Sequence, residues 1–453
     1  MTEHERAPKR QLGFWLCLAL VIGNVIGTGI FLLPAALAPY GWNALFGWIL
    51  TIGGALCLAF VFARLTRALP LAAGPYMFVH EAFGALPAFT VAWSYWIALW
   101  VGNTAIAVAA ISYLSLFVPA LTQTPGLGAL AAAGLLWTLT AVNCASVRAA
   151  GGVQLVTTIL KLLPLIVVIL IAAVVVGQGS AEVHTPLRSQ DISLDAVTAA
   201  AALTLWALLG VESAAVATRH VRDAERTVPR ATLIGMLIVG LVYILVSTPV
   251  ALLLPADQAA ASDAPLADFV ARFWSPGLAM AVGLFAAISA IGALNGWVLL
   301  QGELPLAMAR NRVFPAWFAA VSSRGTPVRG QLLSSGLATL LIAANYSRTV
   351  AGLFVFMALL ATAANLILYL ACSLAALRLQ RTGRIKASSA LTAIAAIAAL
   401  YAIWTLTGAG GEATAWGAVL LAAGIPVYFL MRPKAGSSPA PAEPPAELPG
   451  SSA

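Results

Sequence analysis

The chain has 453 residues, of which 61% are hydrophobic and only 9% are charged. With a mean hydropathy of +0.95, this composition excludes a water-soluble globular protein, and repeated apolar runs of about 20 residues predict a polytopic all-α membrane protein. The formal net charge of +8 would suit a nucleic-acid partner only if the basic residues were clustered on one folded surface.

Twelve apolar runs are long enough to be membrane spans. They are predicted at 14–38, 43–65, 86–118, 128–147, 153–177, 194–217, 230–254, 276–304, 330–346, 350–376, 389–408 and 413–431. The chain then divides into a cytoplasmic N-terminal segment (1–13), a ten-span core (14–376), two further spans (377–431) and a disordered, proline-rich cytoplasmic tail (432–453).

The basic residues lie mainly on one side of the predicted membrane. With a cytoplasmic N-terminus, 20 of the 24 lysines and arginines fall in cytoplasmic segments, and only Arg188, Arg272 and Arg348 fall outside. This bias predicts that both termini are cytoplasmic. The positive charge therefore indicates membrane topology, and no nucleic-acid partner is expected.

The first span contains the stretch Gly23-Asn24-Val25-Ile26-Gly27-Thr28-Gly29, which is a poor helix former. A broken helix at membrane depth is tolerated where its free backbone groups line a cavity, as in many transporters. The alternative is helix packing, because Gly23 and Gly27 also form a Gly-xxx-Gly face. This stretch alone does not decide between the two interpretations.

Two later spans carry polar side chains at membrane depth. Span three holds Asn103, eight residues after Tyr95 and therefore on the same helix face. Span five holds Lys161 near its middle. Because a lysine at this depth costs about 2.5–3.5 kcal/mol, it should face protein or water. The alternative is that its long side chain reaches the membrane interface.

Span six resembles span one in combining breaking and polar residues. It contains Trp206, Gly210, Glu212 and Ser213, and it begins the second half of the ten-span core. Discontinuous helices at corresponding positions of two inverted halves indicate a transporter site. Span eight carries a third such sequence, Asn295-Gly296-Trp297, where we also predict a break.

The sequence lacks the motifs of an enzyme or a metal centre. There is no His-Glu-x-x-His, Walker A, Gly-x-Ser-x-Gly or Cys-x-x-Cys motif, and none of the four histidines lies in a predicted span. We therefore expect no catalytic residues, no metal and no cofactor. A channel would favour rings of one residue type, whereas this chain places unlike polar groups on several spans. The expected partners are a small solute and the lipid bilayer.

The polar groups on these spans suit a zwitterion with a cationic tail. Free amides and the helix dipole at the span-one break suit a carboxylate, and free carbonyls at either break suit an α-ammonium group. The indoles of Trp206 and Trp297 can offer cation–π faces to a guanidinium or alkylammonium.

The residues from Gly23 to Ala35, together with Leu205-Trp206 through Glu212-Ser213-Ala214, resemble the amino acid–polyamine–organocation (APC) transporters. The basic amino acid/polyamine antiporter branch, which exchanges arginine for agmatine or lysine for cadaverine, is the most similar. The resemblance also includes Tyr95, Asn103, Arg222 to Pro229, and Trp297 with Gln301. It implies a LeuT-like fold, with twelve helices, a five-plus-five inverted repeat and discontinuous helices 1 and 6.

The resemblance also implies roles for individual residues. Asn24, Gly27 and Thr28 would hold the carboxylate and amine, Trp206 would stack on the cation, Trp297 would form a wall, and Asn103 would contact the distal nitrogen. Tyr95 would contribute to the outer gate, Glu212 to gating and pH sensing, and Lys161 would brace the span-one break. The remaining substrate contacts implied are Val25, Gly29, Ala98 and Leu209.

Several positions depart from that branch. The arginine exchanger has serine at the positions of Thr28 and Ala358, tyrosine at that of Leu366 and cysteine at that of Leu99. Lys161 resembles the span-five lysine of sodium-independent exchangers and proton symporters. The expected function is exchange of a cationic amino acid for a related amino acid or its decarboxylated amine. The alternatives are a neutral amino acid exchanger or proton symporter and, from another class, an amino acid sensor. A homodimer is an assembly that the resemblance allows.

Overall fold

The computed structural model describes residues 13–27, 29–69, 74–145, 160–179, 186–210 and 224–431, and these residues form helices joined by turns and short loops. The helices of eight or more residues in the first half are α1 (Phe14–Val25), α2 (Gly29–Leu37), α3 (Trp42–Ala68), α4 (Pro75–Phe83), α5 (Ala85–Leu114), α6 (Leu127–Ala145), α7 (Leu162–Gly177) and α8 (Leu194–Ala207). The predicted terminal segments, 1–13 and 432–453, lie almost wholly outside the described residues.

The second half of the chain is helical in the same way. Its helices are α9 (Ala224–Leu253), α10 (Pro265–Phe273), α11 (Pro276–Arg310), α12 (Val328–Ala344), α13 (Val350–Arg381), α14 (Ser389–Thr407), α15 (Gly411–Ala422) and α16 (Gly424–Met431). Each predicted span overlaps one of these helices or a consecutive pair of them. The predicted division into a ten-span core and two further spans stays a prediction.

Within the described residues, eight helical segments are long and apolar enough to cross a membrane. They comprise α3, α5, α6, most of α9, α11, α13, α14 and the pair α15–α16. Four shorter apolar segments, at Gly29–Tyr40, Leu162–Gly177, Leu194–Ala207 and Val328–Ala344, lie where further spans were predicted. The prediction of an all-α polytopic membrane protein is therefore confirmed at this coarser level.

Helix α5 lies at the centre of the molecule. In its most apolar 18-residue window 94% of the residues are buried inside the protein, against 6% for Gly411–Met431. Small residues along α5 let neighbouring backbones approach closely, and Ser94 Oγ donates to the carbonyl oxygen of Ala364 on α13 at 2.6 Å. A side chain on the inward face of α5 is thus held among several helices.

The first span is broken as the sequence predicts. Helix α1 ends at Val25, Ile26 is extended with φ −68° and ψ 90°, and α2 begins at Gly29. The sixth predicted span is also broken, because α8 ends at Ala207 and Leu208–Gly210 form a turn in which Gly210 has φ +98°. The rest of that span, 211–217, lies outside the described residues. A positive φ of this size favours glycine.

The predicted break in span eight is wrong. Helix α11 runs without interruption from Pro276 to Arg310, through Asn295 and Gly296. The Asn295 side chain does not compete for its own backbone, because its Oδ1 accepts a hydrogen bond from Asn143 Nδ2 on α6 at 2.8 Å. A hydrogen-bond partner on another helix therefore keeps the Asn295 side chain from interrupting its own helix.

Candidate functional site

The end of α1 is held by two side chains from distant helices. The carbonyl groups of the last helical turn lack partners within a helix. Here Lys161 Nζ donates to the carbonyl oxygen of Gly23, and Tyr243 Oη donates to that of Val25 at 3.1 Å. Lys161 is only 4% exposed, so its side chain faces protein, and its ammonium group lies at the negative end of the helix dipole.

The two interrupted spans meet at a cavity, which we call the central cavity. Its empty volume, which includes space open to solvent, is about 550 Å³. It is lined by Val25, Gly27, Gly29, Tyr95, Ala98, Leu99, Gly102, Asn103, Ile106, Trp206, Ala207, Leu209, Gly210, Trp297 and Asn365. Its walls are mostly apolar, with a few polar groups, which is the usual composition of a small-molecule site.

Nine of the predicted site residues line this cavity. They are Val25, Gly27, Gly29, Tyr95, Ala98, Asn103, Trp206, Leu209 and Trp297. Lys161 lies behind the break, against Gly23. Thr28, Glu212 and the side chain of Asn24 lie outside the residues that the structure describes.

The Trp206 indole is clamped between glycines of two helices. A Cβ atom placed on Gly29 of α2 would lie 3.1 Å from both Cδ1 and Nε1 of Trp206, and one placed on Gly102 of α5 would lie 3.1 Å from Cη2. Both distances are shorter than ordinary van der Waals contact. The glycines at 29 and 102 therefore make room for the ring and fix its position.

The second tryptophan packs over the turn that follows α8. A Cβ atom placed on Gly210 would lie 3.3 Å from Cη2 of Trp297. Trp297 thus covers the end of α8 on one side of the cavity, while Trp206 lies at the last turn of that helix. The two indoles give the cavity its aromatic surfaces.

Three buried side-chain atoms of residues that line the cavity have no hydrogen-bond partner in the part of the chain that the structure describes. The Oδ1 atoms of Asn103 and Asn365 and the Nε1 atom of Trp206 are buried and have no hydrogen-bond partner among the described residues. Both asparagines are at most 3% exposed. Because a buried polar atom without a partner costs about 1–3 kcal/mol, the two amide oxygens favour a ligand that brings hydrogen-bond donors, and the indole N–H favours one that also brings an acceptor.

The helix ends add fixed partial charges. Helix α2 begins at Gly29, so its positive end lies at the cavity, and α8 ends at Ala207, so its negative end does too. The first suits a carboxylate and the second suits an ammonium group. Among the described residues, none that lines the cavity carries a formal charge, and none form a cluster of histidine, cysteine and acidic side chains that could hold a metal ion.

On span ten, the residue that reaches the cavity is Asn365. Ala358 and Leu366, which we aligned with polar residues of the arginine exchanger, are fully buried and do not line it. Gly102, Ile106, Ala207 and Gly210 were also missed as lining residues. The signal for Asn365 was visible in the sequence, because it is a polar residue within an apolar span.

A polytopic helical bundle with a cavity lined by residues of two helix breaks is the architecture of a membrane transport protein. The family model described as amino acid permease matches residues 12–431. The chain therefore belongs to the amino acid permease family, within the APC superfamily. The family and the relatives below are transporters rather than enzymes, which confirms the prediction that this chain is not an enzyme.

Three relatives are similar to the chain over most of its length. It is 36% identical over 333 residues to the cadaverine/lysine antiporter of Escherichia coli (strain K12), covering 72% of this chain and 73% of the relative. It is 33% identical over 399 residues to a putative arginine/ornithine antiporter of Bacillus subtilis (strain 168), covering 82% and 84%. It is 28% identical over 441 residues to the putrescine transporter PotE of Escherichia coli (strain K12), covering 95% and 98%.

Proposed function

We propose that the chain is a secondary active antiporter that exchanges a cationic amino acid for a related amino acid or its decarboxylated amine. The single observation that carries this proposal is the central cavity, which is lined by the Trp206 ring, held between Gly29 and Gly102, and by Asn103 and Asn365, whose Oδ1 atoms have no partner among the described residues. A ring face and acceptor oxygens both favour a cation over an apolar tail. The relatives whose names include lysine, cadaverine, arginine, ornithine and putrescine support the same substrate class.

In this proposal the substrate is bound at both of its ends. Its carboxylate lies at the positive end of α2, and its α-ammonium lies at the negative end of α8. The cationic tail then extends toward α5, where Trp206 of α8 offers a ring face and Asn103 of α5 offers an oxygen. Tyr95, which also lines the cavity, is placed by the proposal at the outer gate, and Glu212 is assigned to gating and pH sensing.

The proposal includes the finer architecture of the family. Twelve spans with a five-plus-five inverted repeat would bring α1–α2 and α8 to equivalent positions in the two halves. Both termini would lie in the cytoplasm of a bacterial cell, as the 20-to-3 distribution of lysine and arginine favours. Lys161 would brace the break in span one through its bond to Gly23. A homodimer stays a prediction.

A second candidate is a neutral amino acid exchanger or a proton-coupled symporter. It is favoured by the apolar cavity residues Leu99, Ile106 and Leu209, and by the buried lysine behind the break. An amino acid sensor, a function from another class, would bind the same solutes without moving them.

The test is uptake of labelled arginine, lysine, ornithine, leucine and alanine into proteoliposomes that contain the purified chain. The liposomes are either empty or loaded with lysine, cadaverine, ornithine or leucine. We expect uptake of at least one cationic substrate only into loaded liposomes. Uptake of leucine or alanine in preference to every cation would support the neutral candidate, uptake into empty liposomes under a proton gradient would support symport, and binding without uptake would support a sensor.

A further inference from the structure

Asn103 is the cavity end of a line of hydrogen-bonded side chains that crosses four helices. Asn103 Nδ2 donates to Gln301 Oε1 on α11 at 2.7 Å, and Gln301 Nε2 donates to Ser335 Oγ on α12 at 2.8 Å. Ser335 Oγ in turn lies 2.7 Å from Thr140 Oγ1 on α6. All four side chains are buried, with at most 1% exposure, so water does not compete for these bonds. We call these four residues the amide relay.

The single protons of the two hydroxyl groups fix the direction of the amide relay. Thr140 Oγ1 donates to the carbonyl oxygen of Leu136 at 2.8 Å, and a carbonyl can only accept. Ser335 must therefore donate to Thr140, and with its proton used it can only accept from Gln301. Gln301 then turns Nε2 toward Ser335 and Oε1 toward Asn103, so Asn103 must present its Nδ2 to Gln301.

The other end of the Asn103 amide is the atom that matters for a ligand. Asn103 lines the central cavity, and its Oδ1 is buried without a partner among the described residues. An amide oxygen is an acceptor and cannot donate. An ammonium or guanidinium group in the cavity would satisfy it, whereas a methyl group would leave it unpaired.

We propose that Thr140 and Ser335 are specificity-determining residues, which keep Asn103 Oδ1 turned toward the substrate and so select a cationic tail. Neither residue lines the cavity, so both act through Gln301 and Asn103. The inference deepens the proposed function and rests on it, because it takes the central cavity as the substrate site.

Without the Thr140 hydroxyl, the direction of the hydrogen bonds in the amide relay is no longer fixed. Ser335 then has no acceptor at position 140, so its proton can turn to Gln301. The amides of Gln301 and Asn103 can rotate together, with every internal hydrogen bond kept, and Asn103 then presents Nδ2 to the cavity. Asn103 Nδ2 and the ammonium group of the substrate are both donors and form no hydrogen bond with each other. The site therefore loses its preference for a cation.

The test replaces Thr140 with valine, which has nearly the same shape but no hydroxyl. The matched control is Thr138→Val, because Thr138 lies on the same helix, is exposed, and makes the same local bond, to the carbonyl of Gly134 at 2.8 Å. The probes are lysine and norleucine, which has the same α-carbon groups but no distal ammonium, in equilibrium binding to the purified full chain. T140V should weaken lysine binding by about tenfold or more and change norleucine binding by less than about twofold, because a hydrogen bond to a charged group is at stake.

Two further variants separate the relay from a general effect on folding. Thr140→Ser keeps a hydroxyl and should bind lysine like the unmodified chain. In an Asn103→Leu background, T140V should change lysine affinity by less than about twofold, because the end of the relay has been removed. If T140V cannot be purified in a folded form, Ser335→Ala is measured with the same expectations.

The proposed role of Thr140 and Ser335 is refuted if T140V and S335A keep the original lysine affinity, or if they weaken the binding of lysine and norleucine equally. It is also overturned if the loss from T140V persists in full in the Asn103→Leu background. These results differ from a failure of the proposed function, in which the unmodified chain itself binds no cationic substrate.

Discussion

Replacing Gly102 with alanine tests whether the position of the Trp206 ring controls substrate binding. Gly102 lies inside α5, and an added Cβ atom would meet Cη2 and Cζ3 of Trp206 at 3.1 and 3.3 Å. The ring must then move by a few tenths of an ångström to reach ordinary contact distance. It cannot do so toward α2 without cost, because its Cδ1–Nε1 edge already lies against Gly29.

The size of the effect follows from two opposing contributions to the free energy of unfolding. Overpacking a buried site costs about 1–3 kcal/mol, whereas alanine is favoured over glycine inside a helix by about 1 kcal/mol. The stability of G102A should therefore change little or fall moderately. Substrate affinity should fall more clearly, because displacing the ring from a desolvated cation weakens a contact of about 1–2 kcal/mol, which is about 5- to 30-fold in the dissociation constant.

The assay is equilibrium binding of labelled lysine to purified protein, together with thermal unfolding in the same detergent. Gly134→Ala is the matched control, because Gly134 also lies inside a helix, is exposed, and an added Cβ would have no neighbour within 4 Å. The control should bind lysine normally. If G102A binds lysine as tightly as the control does, the ring is not held between α2 and α5 in the way that the distances indicate.

Three further substitutions test other parts of the account. Trp206→Leu should weaken lysine binding by about 5- to 30-fold more than leucine binding, because only the cation uses the ring face; equal losses in competition binding would exclude this role. Lys161→Met keeps most of the side-chain volume but removes the hydrogen-bond donor to the end of α1. Exchange of every substrate in proteoliposomes should therefore slow to the same extent. An unchanged exchange rate would show that Lys161 does not support the break. Gly54→Ala should destabilise the protein by about 1–3 kcal/mol, because the added Cβ would lie 2.5 Å from the Tyr401 ring. The control Gly53→Ala should not, because its added Cβ would have no neighbour within 4 Å. Equal shifts of the two variants in thermal unfolding would contradict the packing of α3 on α14.

The helices and the first break could be predicted because both depend on local properties of the sequence. Apolar runs of membrane length give the helices, and the glycines around Ile26 cannot sustain a helix where a continuous one would otherwise be favoured. The same reasoning failed at Asn295-Gly296, because the deciding contact comes from Asn143, 152 positions away. A local rule cannot detect a partner that only the fold supplies.

The cavity was predictable only in part for a related reason. Tryptophan beside a break and a polar residue within a span are visible in the sequence, and so Trp206 and Asn103 were found. Which residues of a buried helix face the cavity depends on how neighbouring helices pack, and so Gly102 and Asn365 were missed. The direction of the amide relay depends on hydroxyl and amide groups from four helices, which no single stretch of sequence contains.

The central claim is that the cavity between the two breaks binds a cationic substrate, and a structure of the protein with bound lysine, determined by cryo-electron microscopy, tests it most directly. The account predicts ligand density in the cavity, with the carboxylate at the start of α2, the side chain against the Trp206 ring, and the distal ammonium within hydrogen-bond distance of Asn103 Oδ1. An empty cavity at saturating lysine, or lysine bound with its ammonium away from Asn103 and Trp206, would contradict it.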